Sequence, residues 1–133
     1  MTKEDRNLLV QDLCSRLPYG VKVLYKHSVF DIDYISSMYE EVHLDIVNNY
    51  TIDVSEVKPY LFPLSSMTEE QKEEIEDKLI FPSNSNGGWI EILYNDIYNI
   101  PFWFVDFCNK NHFDYRGLIE KGLAIDCTNL NIY

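Results

Sequence analysis

Between Val21 and Val54, apolar residues recur at every second position. This alternation occurs in four short runs separated by turn-forming residues. The apolar members of the four runs are Val21, Val23 and Tyr25; Phe30, Ile32 and Tyr34; Val42, Leu44 and Ile46; and Tyr50, Ile52 and Val54. A period of two is typical of strands with one buried face. Since the links between the runs are short, the pattern predicts a four-strand antiparallel meander.

A meander of this size must cover its apolar face or curl upon it. We therefore predict an α+β fold in which a curved antiparallel meander, either a bent sheet or a small SH3-like barrel, has flanking helices. The residues between the apolar positions are polar and are expected on the outward face, where solvation alone explains them. They are Asp31, Asp33, Glu41, His43, Asp45 and Asp53.

Two stretches outside the meander predict helices. The first covers residues 3–16, where a 3.6-residue period puts several apolar residues on one face, and Pro18 and Gly20 end it. That face carries Leu9, Val10, Leu13, Cys14 and Leu17, so we expect a buried Cys14. The second helix is expected near Pro101 to Lys110, where the many apolar residues indicate a place in the core or beneath a partner.

The stretch from Val57 to Gln71 links the sheet to a further helix. Pro59 and Pro63 favour extended backbone around them, so we expect a semi-rigid strap lying on an apolar surface. Thr68 and Gln71 have the spacing of a capping box, which predicts a helix over residues 68–79. In that helix Ile75 and Leu79 are the apolar residues that can face inward.

The remaining segments have weaker patterns. Residues 83–88 are typical of a loop, and Trp89 to Tyr94 predict a strand. Asp114 can cap a short helix from Tyr115 to Lys121, with Gly122 as a left-handed stop, although Gly117 inside it is unfavourable. Leu123 to Ile125 would then form a last extended segment.

Length and composition indicate an ordinary globular protein. With 133 residues, of which 46% are apolar, one domain over residues 1–133 can bury a core of its own. We expect a β-rich part over about 20–62 and a mainly helical part over about 66–125. Apolar runs are too short to cross a bilayer, and the start of the chain lacks a signal-peptide layout. Together with three widely spaced cysteines, this predicts a cytoplasmic protein with reduced thiols.

The charge balance suggests the kind of partner. Eleven Lys and Arg residues face 22 Asp and Glu residues, so the net charge is −11. Unaided binding to nucleic acid or to anionic lipid is disfavoured, whereas a protein partner, and in particular a basic one, fits. The densest acidic cluster is the candidate contact surface, with plain solvation of a charged helix as the alternative. Its members are Glu69, Glu70, Glu73, Glu74, Glu76 and Asp77.

Candidate chemistry is sparse. His43 and Asp45 would share a strand face, and His112 lies close to Asp114, so either pair could be half of an acid–base or metal site. No nucleophile or nucleotide-binding motif accompanies them, and we predict no catalytic residue, metal or cofactor. Arg116 is a candidate binding residue, with a structural salt bridge as the alternative. Tyrosines suit protein interfaces, but Tyr34 is expected simply to complete the sheet.

Three passages of the sequence resemble a group of known proteins. They are Arg16 to Val21, Lys58 to Glu70, and His112 to Ile119 with Gly122 to Ala124. These passages resemble uncharacterised small proteins of gut Bacteroides-type bacteria and their phages and mobile elements. The resemblance implies a bacterial or phage-infected cytoplasm and an accessory role. We therefore expect a non-catalytic accessory protein acting through protein–protein contacts, the alternative being a small hydrolase or nucleotide-processing enzyme that uses His and Asp side chains.

Overall fold

The computed structural model describes residues 1–45, 51–77 and 102–133. These residues form an α+β fold, as the sequence predicts, with three helices and seven strands. The helices are α1 (Lys3–Arg16), α2 (Glu69–Glu76) and α3 (Phe102–Lys110). The strands are β1 (Lys22–Tyr25), β2 (Ser28–Ser36), β3 (Glu41–Leu44), β4 (Thr51–Asp53), β5 (Val57–Pro63), β6 (Phe113–Asp114) and β7 (Ile125–Asp126). The predicted loop 83–88 and strand 89–94 lie outside the described residues.

The predicted antiparallel meander is confirmed for β1 to β4. Neighbouring strands follow the order β4-β3-β2-β1-β5-β6, and β7 pairs with β5. The described sheet begins at β4 and ends at β6 without closing, so it is a bent sheet and not a barrel. The register between β2 and β3 shifts between Ile32 and Tyr34, where one extra residue of β2 forms a bulge. Such a bulge increases the local bend and turns side chains away from strict alternation.

The proline-containing strap is a strand of the sheet. It is extended and largely buried, as predicted, but β5 pairs with three other strands. Val57 to Pro59 lie antiparallel to β1, and the following residues lie parallel to β7 and then β6. Pro59 and Pro63 lack a donor, which a strand tolerates where no ladder bond is needed. The amide of Phe62 donates to the carbonyl of His112 at 2.8 Å, so the ladder continues between the two prolines.

Helix α1 begins and ends where its sequence indicates. The Thr2 hydroxyl accepts a hydrogen bond from the Asp5 amide at 3.0 Å, which caps the first turn. Gly20 ends the following 3-10 turn with a φ of +78°, a left-handed conformation that glycine adopts without strain. The prediction of a buried Cys14 is wrong, because Cys14 is exposed. The buried face instead runs along Leu9, Asp12, Leu13 and Arg16, and Cys14 lies beside it.

The described residues form two buried apolar clusters. The larger joins α1 to the sheet, and its fully buried members include Leu9, Leu13, Val23, Val42, Leu44 and Leu61. The smaller lies beneath α2 and α3 and contains Met67, Ile75, Phe104, Phe107, Cys108, Phe113 and Tyr115. Each fully buried aliphatic or aromatic side chain contributes about 1.5–3 kcal/mol through removal of apolar surface from water. The smaller cluster holds α2 against the rest of the fold.

The segment after α3 differs from its prediction. Helix α3 is confirmed from Phe102 to Lys110, while the predicted start at Pro101 lies outside the described residues. The prediction of a helix over Tyr115 to Lys121 is wrong, because the backbone forms turns there. Gly117 has a φ of +74°, which a right-handed helix cannot contain. Gly122 shows the expected left-handed conformation, and β7 lies close to the predicted last extended segment.

Candidate functional site

The acidic helix α2 is held at its start by a capping box. The Gln71 amide donates to the Thr68 hydroxyl at 3.2 Å, and the Thr68 amide donates to the Gln71 side chain at 2.9 Å. Both bonds satisfy backbone donors that the first helical turn leaves free. Ile75 is almost completely buried and anchors the helix on the smaller cluster, whereas Leu79 lies outside the described residues. The orientation of α2 therefore follows from one cap and one apolar anchor.

With Ile75 inward, the carboxylates of α2 are left in solvent. Exposed side chains are Glu69, Glu70, Glu73, Glu74 and Asp77, and Glu76 is half-buried. We call these six residues the acidic face of α2. Lys72 lies 3.3 Å from Glu69, an exposed pair of the kind that contributes little. The exposed carboxylates of this face can attract a cationic surface.

Arg116 lies against α1. Its Nε is 3.3 Å from Asp12 Oδ1, and its Nη2 is 3.2 Å from the Tyr115 hydroxyl and 3.4 Å from Ser15 Oγ. The salt bridge agrees with the structural alternative considered for this residue. A ligand-binding role for Arg116 stays a prediction.

Asp12 binds a second arginine, which the sequence pattern did not single out. Arg16 is fully buried, and it donates from Nε to Asp12 Oδ2 at 2.7 Å and from Nη2 to the Phe113 carbonyl at 2.6 Å. Burial opposes its charge, but the attraction and hydrogen bonds of Asp12 leave the pKa of Arg16 above its ordinary value. We call Asp12, Arg16 and Arg116 the buried charge cluster. The spacing of Leu9, Asp12, Leu13 and Arg16 on one helical face is the signal that could have revealed it.

The surroundings of the buried charge cluster are aromatic and unreactive. The guanidinium carbons of Arg16 and Arg116 lie 5.3 Å and 5.0 Å from the centre of the Tyr115 ring. Such contacts stabilise a desolvated cation. Burial raises the pKa of the nearby Cys108 thiol to about 12. A thiol of that pKa is protonated at neutral pH.

His43 is buried, although it was expected on the wet face of the sheet. It is 7% exposed, its ring stacks on Tyr34 at 4.6 Å between ring centres, and its Nδ1 lies 3.1 Å from Asp33 Oδ2. The β2 bulge brings Tyr34 opposite His43 and so covers the imidazole. Asp45, the predicted companion of His43, instead accepts a hydrogen bond from the Asp31 amide at 3.0 Å. The structure therefore pairs His43 with Asp33.

His112 also has a structural environment. Its ring stacks on Tyr133 at 3.5 Å, and burial, followed by the positive charges of Arg16 and Lys22, lowers the pKa of His112 to about 4. The ring is therefore neutral at neutral pH. Asp114, its predicted companion, accepts hydrogen bonds from the amides of Leu118 and Ile119, both at 2.9 Å. Both carboxylate oxygens of Asp114 thus bind backbone.

The β2–β3 hairpin exposes large apolar side chains. Tyr34 is 52% exposed, and Met38 and Tyr39, in the turn, are 82% and 68% exposed. Beside them, Asp33 is exposed and Glu41 is half-buried. The sequence reasoning placed Tyr34 in the sheet and passed over Met38 and Tyr39. Their exposure depends on the bulge and on the turn, which periodicity alone does not reveal.

Comparisons with known proteins leave the site to be judged on its own geometry. No family model, no curated protein and no solved structure matches the chain. Within residues 1–45, 51–77 and 102–133, no three His, Cys, Asp or Glu side chains are grouped as metal ligands would be. No helix in that same part of the chain is long and apolar enough to cross a membrane.

Proposed function

We propose that this protein acts without chemistry of its own, by binding another protein through the acidic face of α2. The observation that carries the proposal is the exposure of Glu69, Glu70, Glu73, Glu74 and Asp77 on a helix fixed by Ile75. Clustered carboxylates on a fixed element steer a basic partner and favour its bound orientation. The partner is a basic protein surface, and a nucleic-acid-binding groove is one surface where carboxylates can take the places of phosphates.

The cellular setting is part of the same proposal. A net charge of −11 disfavours direct contact with nucleic acid or anionic lipid, because both carry the same sign of charge. The resemblance to small proteins of Bacteroides-type bacteria and their phages supports an accessory role in a bacterial cytoplasm. In that setting the protein would bind a basic host or phage protein and block its charged groove.

A small enzyme is the second candidate function, and one observation favours it. The imidazole of His43 lies 3.1 Å from the Asp33 carboxylate, which is the arrangement of an acid–base pair. The other candidate groups are engaged in structural bonds: Asp45 binds the Asp31 amide, Asp114 binds two amides, and the His112 ring is covered by Tyr133. Binding therefore has the better support.

Matched charge variants test the proposal. The triple variant Glu70→Gln, Glu73→Gln, Glu74→Gln removes three exposed charges from α2 and leaves the Glu69–Lys72 pair in place. The control variant Glu4→Gln, Glu56→Gln, Glu120→Gln removes the same number of exposed charges elsewhere. Each immobilised protein is incubated with a Bacteroides lysate at about 50 mM and about 150 mM salt, and the retained proteins are identified by mass spectrometry.

We expect a basic protein that the wild type and the control variant retain at low salt and the α2 variant does not. Retention should weaken at the higher salt, because the contact is electrostatic. Equal retention of the basic protein by the two variants would show that only the net charge, and not the position of the charges, matters for retention. The acidic face of α2 would then only solvate the protein. The absence of any specific retained protein at either salt would also contradict the proposal.

A further inference from the structure

We propose that the outward side of the β2–β3 hairpin is a second docking surface, which takes a Lys- or Arg-containing segment of a partner protein. The surface consists of Asp33, Tyr34, Met38, Tyr39 and Glu41, and we call it the hairpin face. The inference rests on the proposed protein-binding function but names a different surface. It combines exposed aromatic rings with carboxylates, which is the combination that recognises a cationic side chain.

The geometry of the two strands supports this assignment. Tyr34 lies opposite His43 and stacks flat on it, with an angle of 6° between the rings, so one face of the tyrosine is held and the ring is 52% exposed. The Asp33 carboxylate lies on the His43 side, beside Tyr34. Glu41 is two residues from His43 along β3 and so shares its side of the strand. The Thr51 hydroxyl, opposite His43, donates to Glu41 at 2.8 Å.

The exposure of the hairpin turn adds an apolar contribution. Met38 and Tyr39 are the most exposed large apolar side chains on this hairpin. Aromatic residues and methionine are enriched in the centres of protein interfaces, where their large surfaces leave water on binding. A cationic side chain can lie over a tyrosine ring, its head group near Asp33 or Glu41, while its methylene groups contact Met38 or Tyr39.

Charge decides between the possible occupants. A second copy of this chain carries −11 and would be repelled by a face that includes two carboxylates. Residues 78–101 contain Lys78 against Glu91 and Asp96, so their own charge does not complement the face either. The nearby Arg6 is already bound, since it donates to Glu40 and, through two nitrogens, to Asp53. A basic segment from another protein fits where these do not.

The test uses a defined probe in place of a native partner. A fluorescein-labelled hexa-arginine peptide is titrated with the protein at about 20 mM and about 150 mM salt, and binding is followed by fluorescence anisotropy. The matched control peptide is hexa-citrulline, which has nearly the same shape but no charge. Backbone amide NMR signals of the labelled protein locate the contact. We expect hexa-arginine, and not hexa-citrulline, to shift the signals of residues 33–41.

Four variants separate the contributions. Tyr34→Ala with Tyr39→Ala should weaken hexa-arginine binding about fivefold or more, because the rings contribute contact area and cation–π attraction. Asp33→Asn with Glu41→Gln should weaken it by a similar factor and reduce its salt dependence. Tyr34→Phe keeps the ring and should stay within about twofold of wild type. The α2 variant Glu70→Gln, Glu73→Gln, Glu74→Gln should leave the shifts of residues 33–41 in place.

Several outcomes would overturn the proposal. These are shifts confined to α2, hairpin variants that bind hexa-arginine as the wild type does, or no binding at about 20 mM salt. A wild-type dimer that the tyrosine variant abolishes would make a second copy the occupant. Contacts between the Tyr34 ring and residues 78–101, seen as nuclear Overhauser effects, would show that the chain covers its own hairpin. A failure here with intact α2-dependent retention leaves the proposed function standing on α2 alone.

Discussion

Helix α1 buries one pair of charged side chains, whereas helix α2 exposes most of its charged side chains. In α1, Asp12 and Arg16 are fully buried and bind one another, and Arg16 also binds the Phe113 carbonyl. In α2, Glu69, Glu70, Glu73 and Glu74 face solvent, and Ile75 is buried. Buried charges demand partners, since removing one partner leaves an uncompensated charge in a medium of low polarity. Glu69, Glu70, Glu73 and Glu74 of α2 lie in solvent, where a partner can reach them.

The buried charges of α1 and the exposed charges of α2 therefore differ in what they contribute. In the buried charge cluster, Arg16 binds the Phe113 carbonyl and Asp12 binds Arg116, so the cluster links α1 to segments that are distant in the sequence. The acidic face of α2 contributes little to that arrangement. Changes in the first region should therefore alter stability strongly and binding only through the fold. Changes in the second should alter binding and leave stability nearly unchanged.

The largest effect is expected from Asp12→Ala. This change leaves Arg16 fully buried without a carboxylate, and we expect a loss of about 3–5 kcal/mol in the free energy of unfolding, measured by urea denaturation. The neighbouring exposed residue provides the control: Gln11→Ala should change stability by less than about 0.5 kcal/mol. A loss below about 1 kcal/mol for Asp12→Ala would contradict the comparison.

A double variant sharpens the interpretation of that loss. Asp12→Leu with Arg16→Met replaces the pair by apolar side chains of similar volume and leaves Arg116, which is partly exposed, free to turn to solvent. Stability should return to within about 2 kcal/mol of wild type, because no unpaired charge stays buried. If the double variant is as unstable as Asp12→Ala, lost packing and not uncompensated charge explains the effect.

An intermediate effect is expected from pH. The ordinary pKa of His112 is 6.5 and its folded value is about 4, so between these values the unfolded chain binds a proton that the folded chain does not. Stability that is present above pH 6.5 should therefore fall as the pH drops towards 4. Because the ring is only half-buried, solvent screens part of the effect, and we expect a loss of about 1–2 kcal/mol from this group.

The variant His112→Asn isolates that contribution. Asparagine accepts the positive φ of +64° at this position but does not titrate. Urea unfolding of the wild type and of the variant is measured from pH 7.5 to pH 4 in steps of about 0.5 units. It gives the slope of stability against pH for each protein. The wild type should lose more stability than the variant over this range. Parallel curves would show that His112 is not the group responsible.

The smallest effects belong to α2. Thr68→Ala removes the hydroxyl that accepts from the Gln71 amide and should cost about 1 kcal/mol. The triple variant Glu70→Gln, Glu73→Gln, Glu74→Gln should change stability by no more than about 0.5 kcal/mol, as substitutions of exposed side chains usually do. Thermal unfolding by circular dichroism measures both. A larger loss in the triple variant would give these carboxylates a structural role that their exposure does not suggest.

Local pattern was sufficient for most of the helices and strands. Alternation predicted β1 to β4, the 3.6-residue period predicted α1 over residues 3–16, and the spacing of Thr68 and Gln71 predicted the start of α2. These features depend on neighbours in the sequence, so the printed residues contain the needed information. The acidic face of α2 followed in the same way, because one anchoring residue is enough to turn the others outward.

Other features depended on contacts between residues far apart in the chain. Val57 to Pro63 form a strand of the sheet because β1, β6 and β7, which come from different parts of the sequence, pair with them. The same holds for Arg16, whose partner carbonyl at Phe113 lies 97 residues away. His43 was buried by a bulge that changes which residue lies opposite it. Periodicity indicates which faces of a segment are apolar. The hydrogen-bonding partners and the burial of polar groups are determined only by contacts between segments, because the free energy of a buried polar group depends on its three-dimensional surroundings.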